Sequence, residues 1–178
     1  EVMQRAWDNF AGQRNAALAA VVAETAAKDP QVQAAGVHAL SQWPDLKASD
    51  ELLRIVSSSP NRKFVLTALE GYVRLVREAS LPAYKKVAML AGAMALPKEE
   101  ADRNVILRGL AGIRGPEAFR LLSEALEKPG LRDAASRSLL EMASEQAPEE
   151  RWLSGQEAYS VLRRVEATAT DPVEKEQA

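Results

Sequence analysis

The chain has 178 residues, with 23 Lys and Arg against 25 Asp and Glu, a formal net charge of -2, one His and no Cys. This balance gives no overall field that would attract DNA or an anionic membrane, so nucleic acid is not expected as a partner. The absence of Cys excludes disulfides, thiolate nucleophiles and Cys-based zinc sites, and no apolar run is long enough to predict membrane insertion.

Apolar and small residues recur with a helical period along the whole chain, and no stretch of five residues alternates with period two. The sequence therefore predicts an all-α fold. Proline is accepted in the first turn of a helix, so most Pro-containing breakers mark helix starts. The predicted helices span 11–28, 31–43, 46–57, 61–77, 82–95, 98–113, 116–127, 130–145 and 155–169, with a short helical piece before residue 10.

The second helix of each predicted pair follows one pattern. Superposing the four leucines Leu40, Leu69, Leu110 and Leu139 also superposes a bulky residue three positions later: Trp43, Tyr72, Ile113 and Met142. A shift of 70 residues places Ala48 on Ala118 and Leu52 on Leu122 in the intervening helices. Each unit is then a helix pair too small to bury its apolar face alone, so neighbouring pairs are expected to stack.

The segment "DPQVQAAGVHAL" resembles the second-helix pattern of the HEAT-repeat (armadillo-like) family, with its basic position at Gln33, Arg62, Arg103 and Arg132. "VLTALEGYVRLV" (65–76) is similar to divergent HEAT arrays of large secreted bacterial proteins. The resemblance implies one right-handed α-solenoid domain over 1–178, with about four antiparallel helix pairs plus partial end helices. It also implies a periplasmic or extracellular location and an origin in a longer multidomain chain. "TDPVEKEQA" (170–178) repeats the Asp-Pro opening, which predicts the start of a truncated further repeat.

No arrangement of residues in the sequence predicts catalysis, cofactor binding or a metal site. His38 is the only histidine, and its helical phase lies opposite a stripe of Val32, Ala39, Leu40 and Trp43, so we expect a solvated surface residue. The glycines of "GIRGPEAF" lack the strand and the Lys of a phosphate loop and are explained by a turn. The sequence therefore predicts a non-enzymatic protein; a lyase or hydrolase would need a charged pocket that the sequence does not supply.

The outward side of the second helices is the predicted contact surface, because in a HEAT solenoid these helices line the concave side. Its candidate partner-binding residues are Lys63, Glu70, Arg74, Arg108 and Arg137. The mixture of charges suits a protein or peptide partner better than a phosphate backbone.

Three alternatives stay open: a solvated face with no ligand, a spacer, and a carbohydrate-associated module, the last suggested by the secreted-array resemblance and by Trp7 and Trp152. The structural interpretation is that Trp43 lies in the core and that Arg62, Arg103 and Arg132 link repeats. Apolar surface at incomplete end repeats further predicts end-to-end association.

Overall fold

The computed structural model describes residues 2–144 and 155–168, and all the regular structure of these residues is helical, which confirms the all-α prediction for them. The predicted truncated repeat at 170–178 lies outside the described residues. Short 3₁₀ helices, Leu46–Ala48 and Glu100–Arg103, lead into α3 and α6. The α-helices are α1 (Val2–Thr25), α2 (Pro30–Ser41), α3 (Ser49–Ser58), α4 (Arg62–Glu78), α5 (Ala83–Ala93), α6 (Asn104–Ala111), α7 (Pro116–Ala125), α8 (Arg132–Ser144) and α9 (Gly155–Thr168).

Proline marks the starts of α2 and α7, as the sequence predicts. Pro30 is the first residue of α2, and the side chain of Asp29 accepts a hydrogen bond of 2.8 Å from the amide of Gln31. Gly115 precedes Pro116 with φ 154°, a backbone conformation that residues with a Cβ rarely adopt. The turn before α7 therefore needs glycine, which explains "RGPE" without any ligand.

The first predicted helix boundaries are wrong. Instead of a short piece before residue 10 and a helix over 11–28, the chain forms one helix, α1, because Gly12 alone does not interrupt a run of good helix formers. The helix ends at Thr25, whose hydroxyl donates to the carbonyl of Val22 at 2.7 Å. The amides of Ala26 and Ala27 then bond to carbonyls three residues back, which closes the last turn.

The chain divides into two compact units, Glu1–Leu75 and Val76–Ala178, and the division falls within α4. In unit 1, α1 packs against α2. In unit 2, α5 contacts α6 and α7, α6 contacts α7 and α8, and α8 contacts α7 and α9. In this unit each helix therefore packs against its near neighbours in the chain.

The superposed residues of the repeat are buried, with one exception. All four leucines of the pattern are at most 1% exposed, and the residues related by the shift of 70 are fully buried: Ala48, Leu52, Ala118 and Leu122. Tyr72, Ile113 and Met142 are also buried, as predicted. Trp43, in the turn that follows α2, is only partly buried. The expectation that Trp43 lies in the core is thus corrected.

The buried side of α2 also differs from the predicted stripe. Gly36, Val37, Leu40 and Ser41 are buried, whereas Val32 and Ala39 are exposed. The reason is close helix contact: a Cβ on Gly36 would lie 2.8 Å from the backbone of Thr25, and a Cβ on Gly71 of α4 would lie 2.6 Å from Cα of Ser41. At these two points the backbones approach too closely for any residue larger than glycine.

Candidate interaction surface

The second helices of unit 2 expose only a narrow side. On α6 the buried residues are Val105, Ile106, Leu107, Gly109, Leu110 and Ala111, whereas Arg108 is exposed. On α8 the exposed residues are Asp133, Arg137 and Glu141, spaced four apart on one helical face. Because α6 and α8 pack against each other, the structure brings the predicted residues Arg108 and Arg137 onto two neighbouring helices of one unit.

The exposed side of α8 has mixed charge. Asp133 and Glu141 lie one turn before and one turn after Arg137, and Nε of Arg137 donates to the backbone carbonyl of Asp133 at 3.3 Å. Such flanking carboxylates offset the positive charge of Arg137. This pattern could hydrogen-bond polar and charged groups of a polypeptide, but it does not form a sustained basic stripe.

In unit 1 the predicted surface residues lie on α4. Lys63 and Glu70 are exposed, whereas Arg74 is partly buried. Nη2 of Arg74 donates to the carbonyl oxygens of Ser41 and Trp43, both at 2.9 Å. The carbonyl of Ser41 belongs to the last residue of α2, where carbonyls lack intrahelical partners, and that of Trp43 lies in the turn that follows. Arg74 is therefore engaged inside the unit, which the sequence pattern did not reveal.

His38 is exposed on α2, as predicted. Its backbone carbonyl accepts a hydrogen bond of 2.7 Å from the hydroxyl of Ser41. Among the described residues, no three His, Asp or Glu side chains cluster in a way that could hold a metal ion. The side chain of Trp7 and the whole of Trp152 lie outside the part of the chain that can be described. The structure therefore does not test the carbohydrate-associated alternative.

Sequence reasoning missed a capping role of the basic position in the repeated pattern. Nε of Arg132 donates to the carbonyl of Leu126 at the end of α7, at 3.1 Å. Gln33, which departs from the basic pattern, donates from Nε2 to the carbonyl of Thr25 at the end of α1, at 3.0 Å. Both side chains reach back from the start of a second helix to the end of the preceding helix. Both positions require a long side chain that donates a hydrogen bond, and glutamine meets this requirement. At the other two positions of the pattern, Arg62 is exposed and Arg103 is partly buried.

Tyr72 lies in the core of unit 1. Burial, with a further contribution from the charge of Asp50, raises the pKa of Tyr72 to about 12. Burial disfavours the charged phenolate, so this hydroxyl stays protonated at neutral pH. Since Tyr72 is 2% exposed, the shift identifies a core residue and not a reactive group.

In the part of the chain that the structure describes, no helix is long and apolar enough to cross a membrane. Comparison with known proteins finds no relative: no family model, curated protein or solved structure matches the chain.

Proposed function

We propose that this chain is a non-enzymatic protein-interaction or scaffold module, built as an α-solenoid of antiparallel helix pairs. The proposal is supported by the helix contacts of unit 2. There α5 contacts α7 and α6 contacts α8, while α5 also contacts α6 and α7 contacts α8. Contacts both within and between successive helix pairs are what a stack of repeats requires.

One observation carries the proposed surface: α6 and α8 are buried over most of their circumference and expose arginine at equivalent positions. Arg108 lies two residues before Leu110, and Arg137 lies two residues before Leu139. Both leucines are at most 1% exposed, whereas both arginines are exposed. The guanidinium presents a planar fork of donors that matches a carboxylate, and the packed helix fixes the position of its backbone.

The partner class that fits this surface is a protein or peptide that carries acidic groups among other polar groups. Arg108 and Arg137 would supply bidentate donors to its carboxylates. Asp133 and Glu141 would disfavour a uniformly anionic polymer, because like charges repel. We keep Arg74 outside this surface, since its guanidinium already bonds two backbone carbonyls.

The test is affinity capture from an extract of the source organism, followed by titration of the purified partner. The test variant is Arg108→Glu with Arg137→Glu. A matched control, Lys85→Glu with Arg120→Glu, makes the same charge change at exposed positions of α5 and α7. We expect the test variant to weaken binding at least about tenfold, equivalent to about 1.4 kcal/mol, and the control variant to bind like the wild type.

Equal binding by the two double variants would refute this surface. Thermal denaturation must accompany the titration, because loss of binding with a lowered Tm would report unfolding instead of a lost contact. No partner retained by the wild-type chain would favour a spacer that separates other domains.

A further inference from the structure

We propose that the partner segment bound by Arg108 and Arg137 is a polyproline II helix that carries two acidic residues three positions apart. This inference rests on the proposed function, because it takes the exposed side of α6 and α8 as the binding surface and derives the shape of the partner from it. Both arginines are exposed, and the helices that carry them pack against each other. Their separation sets the distance between the two carboxylates that they bind.

The two arginines project from points about one helix spacing apart. Arg108 precedes Leu110 by two residues, and Arg137 precedes Leu139 by two residues. Since both leucines are buried, the arginines leave their helices at the same phase of the repeat. The axes of packed helices lie about 8–10 Å apart. A partner must therefore present two carboxylates on one side of its chain at about this separation.

The separation matches some regular backbones and excludes others. A polyproline II helix repeats every three residues, so two side chains three positions apart lie on the same side, about 9.3 Å apart. Side chains on one face of a β-strand lie about 6.8 or 13.6 Å apart, and neither distance fits. In an α-helix, residues seven positions apart lie on nearly the same side and are about 10.5 Å apart. Two conformations of the partner thus satisfy the distance.

The charges of α8 favour the polyproline II helix over the α-helix. Asp133 and Glu141 are exposed, and each lies four residues from Arg137, about 6 Å along the helix axis. An α-helix with its side chains is about 10–12 Å across. Lying over Arg137, it would cover both carboxylates and remove their water. A single extended chain is narrower, since paired strands lie only about 4.8 Å apart, and it leaves both carboxylates solvated.

The residues around the two arginines also restrict the rest of the partner segment. On α6, one turn before and one turn after Arg108, stand Asn104 and Gly112, which carry no charge. On α8 the corresponding neighbours are Asp133 and Glu141, which repel further acidic groups. The residues between and beside the two acids of the partner should therefore be neutral. Proline suits these positions because its fixed φ favours polyproline II geometry.

Oligoproline peptides with blocked ends test the spacing directly, because their side chains stand at fixed distances. Each peptide carries two glutamates, placed three positions apart in the test peptide and two or four apart in the controls. An alanine-rich helical peptide with glutamates seven positions apart represents the α-helical alternative. Binding to the whole chain is followed in ¹⁵N–¹H NMR spectra at low ionic strength, since salt weakens exposed ion pairs. We expect the test peptide to bind about two- to fivefold more tightly than each control, which is the effect of one additional exposed ion pair.

Single variants show whether the preference comes from the two arginines. Arg108→Gln and Arg137→Gln should each remove the preference for the three-position spacing, because only one carboxylate then finds a guanidinium. The matched control is Lys85→Gln, which removes an exposed cation from α5 and should keep the preference. Thermal denaturation should give the same Tm for all three variants, since they change exposed side chains.

Three results would overturn the inference: equal binding of the three oligoprolines, tighter binding of the helical peptide, or no binding of any peptide up to about 10 mM. A preference that survives in Arg137→Gln would also overturn it. The proposed function is judged separately by affinity capture. A captured partner that needs Arg108 and Arg137 would support the surface even if the spacing rule failed, whereas a partner bound equally by the two double variants would refute the surface itself.

Discussion

Replacing Arg74 with Ala removes the side chain that caps the C-terminal end of α2. Each of the two hydrogen bonds from Nη2 of Arg74 is 2.9 Å long, and they end at Ser41 and Trp43. Hydrogen bonds from a charged donor contribute about 1.5–3 kcal/mol each, but the partly buried guanidinium has lost hydration, which offsets part of this gain. We expect the free energy of unfolding to fall by about 2 kcal/mol. For a chain of this size, that loss lowers Tm by about 4–8 °C.

The assay is urea denaturation followed by far-UV circular dichroism. Lys63→Ala is the matched control, because it removes an exposed cation from the same helix and should change stability by less than about 0.5 kcal/mol. Arg74→Lys keeps the charge but loses the planar fork, so an intermediate loss is expected. Equal stability of the Arg74→Ala and Lys63→Ala variants would refute the capping role.

Three further perturbations test the core of unit 1 and its helices. The pKa of Tyr72 is raised to about 12 by burial and by Asp50. The stability that Tyr72 contributes to the folded state is therefore complete below the ordinary tyrosine pKa of about 10 and is lost as pH rises toward 12. Above about pH 10, urea denaturation should show that the free energy of unfolding of the wild type falls by up to about 1.4 kcal/mol per pH unit, and that this fall is absent in Tyr72→Phe. The same dependence of stability on pH in both proteins would contradict the raised pKa. Gly71→Ala would place a Cβ 2.6 Å from Cα of Ser41 and should destabilise by about 1–3 kcal/mol. At Gly12 a Cβ would have no atom within 4 Å, so Gly12→Ala should stabilise the fold by about 0.5–1 kcal/mol in thermal denaturation. If Gly71→Ala were the more stable of the two variants, the close approach of Gly71 to Ser41 would be disproved.

The helical segments could be predicted because their signals are local. Pro30 and Pro116 mark helix starts through the fixed φ of proline, and the superposed leucines predict buried positions through helical period alone. The boundary of α1 could not be predicted in the same way. It depends on one hydroxyl of Thr25 and two turn amides, not on a strong breaker.

The candidate surface could be predicted only in outline. Periodicity placed Lys63, Glu70, Arg108 and Arg137 on the exposed side of their helices, where the structure also has them. It could not show where the long side chain of Arg74 ends, because that depends on how closely α4 approaches the turn after α2. The exposed side of α2, which includes Val32 and Ala39, likewise depends on contacts of glycines with neighbouring backbone. Residue spacing within one helix carries no information about such contacts.

Several helix ends in this chain are completed by residues that come later in the sequence. Gln33 bonds the end of α1, Arg74 the end of α2 and Arg132 the end of α7, while Nζ of Lys86 donates to the carbonyl of Arg77 near the end of α4 at 2.6 Å. A chain that is synthesised from its amino end therefore makes each of these helices before it makes the donor for that helix. On the ribosome, α2 has its full length more than thirty residues before Arg74 is added. Its C-terminal carbonyls must stay solvated until then, so the order of synthesis also sets the order in which these helix ends become stable.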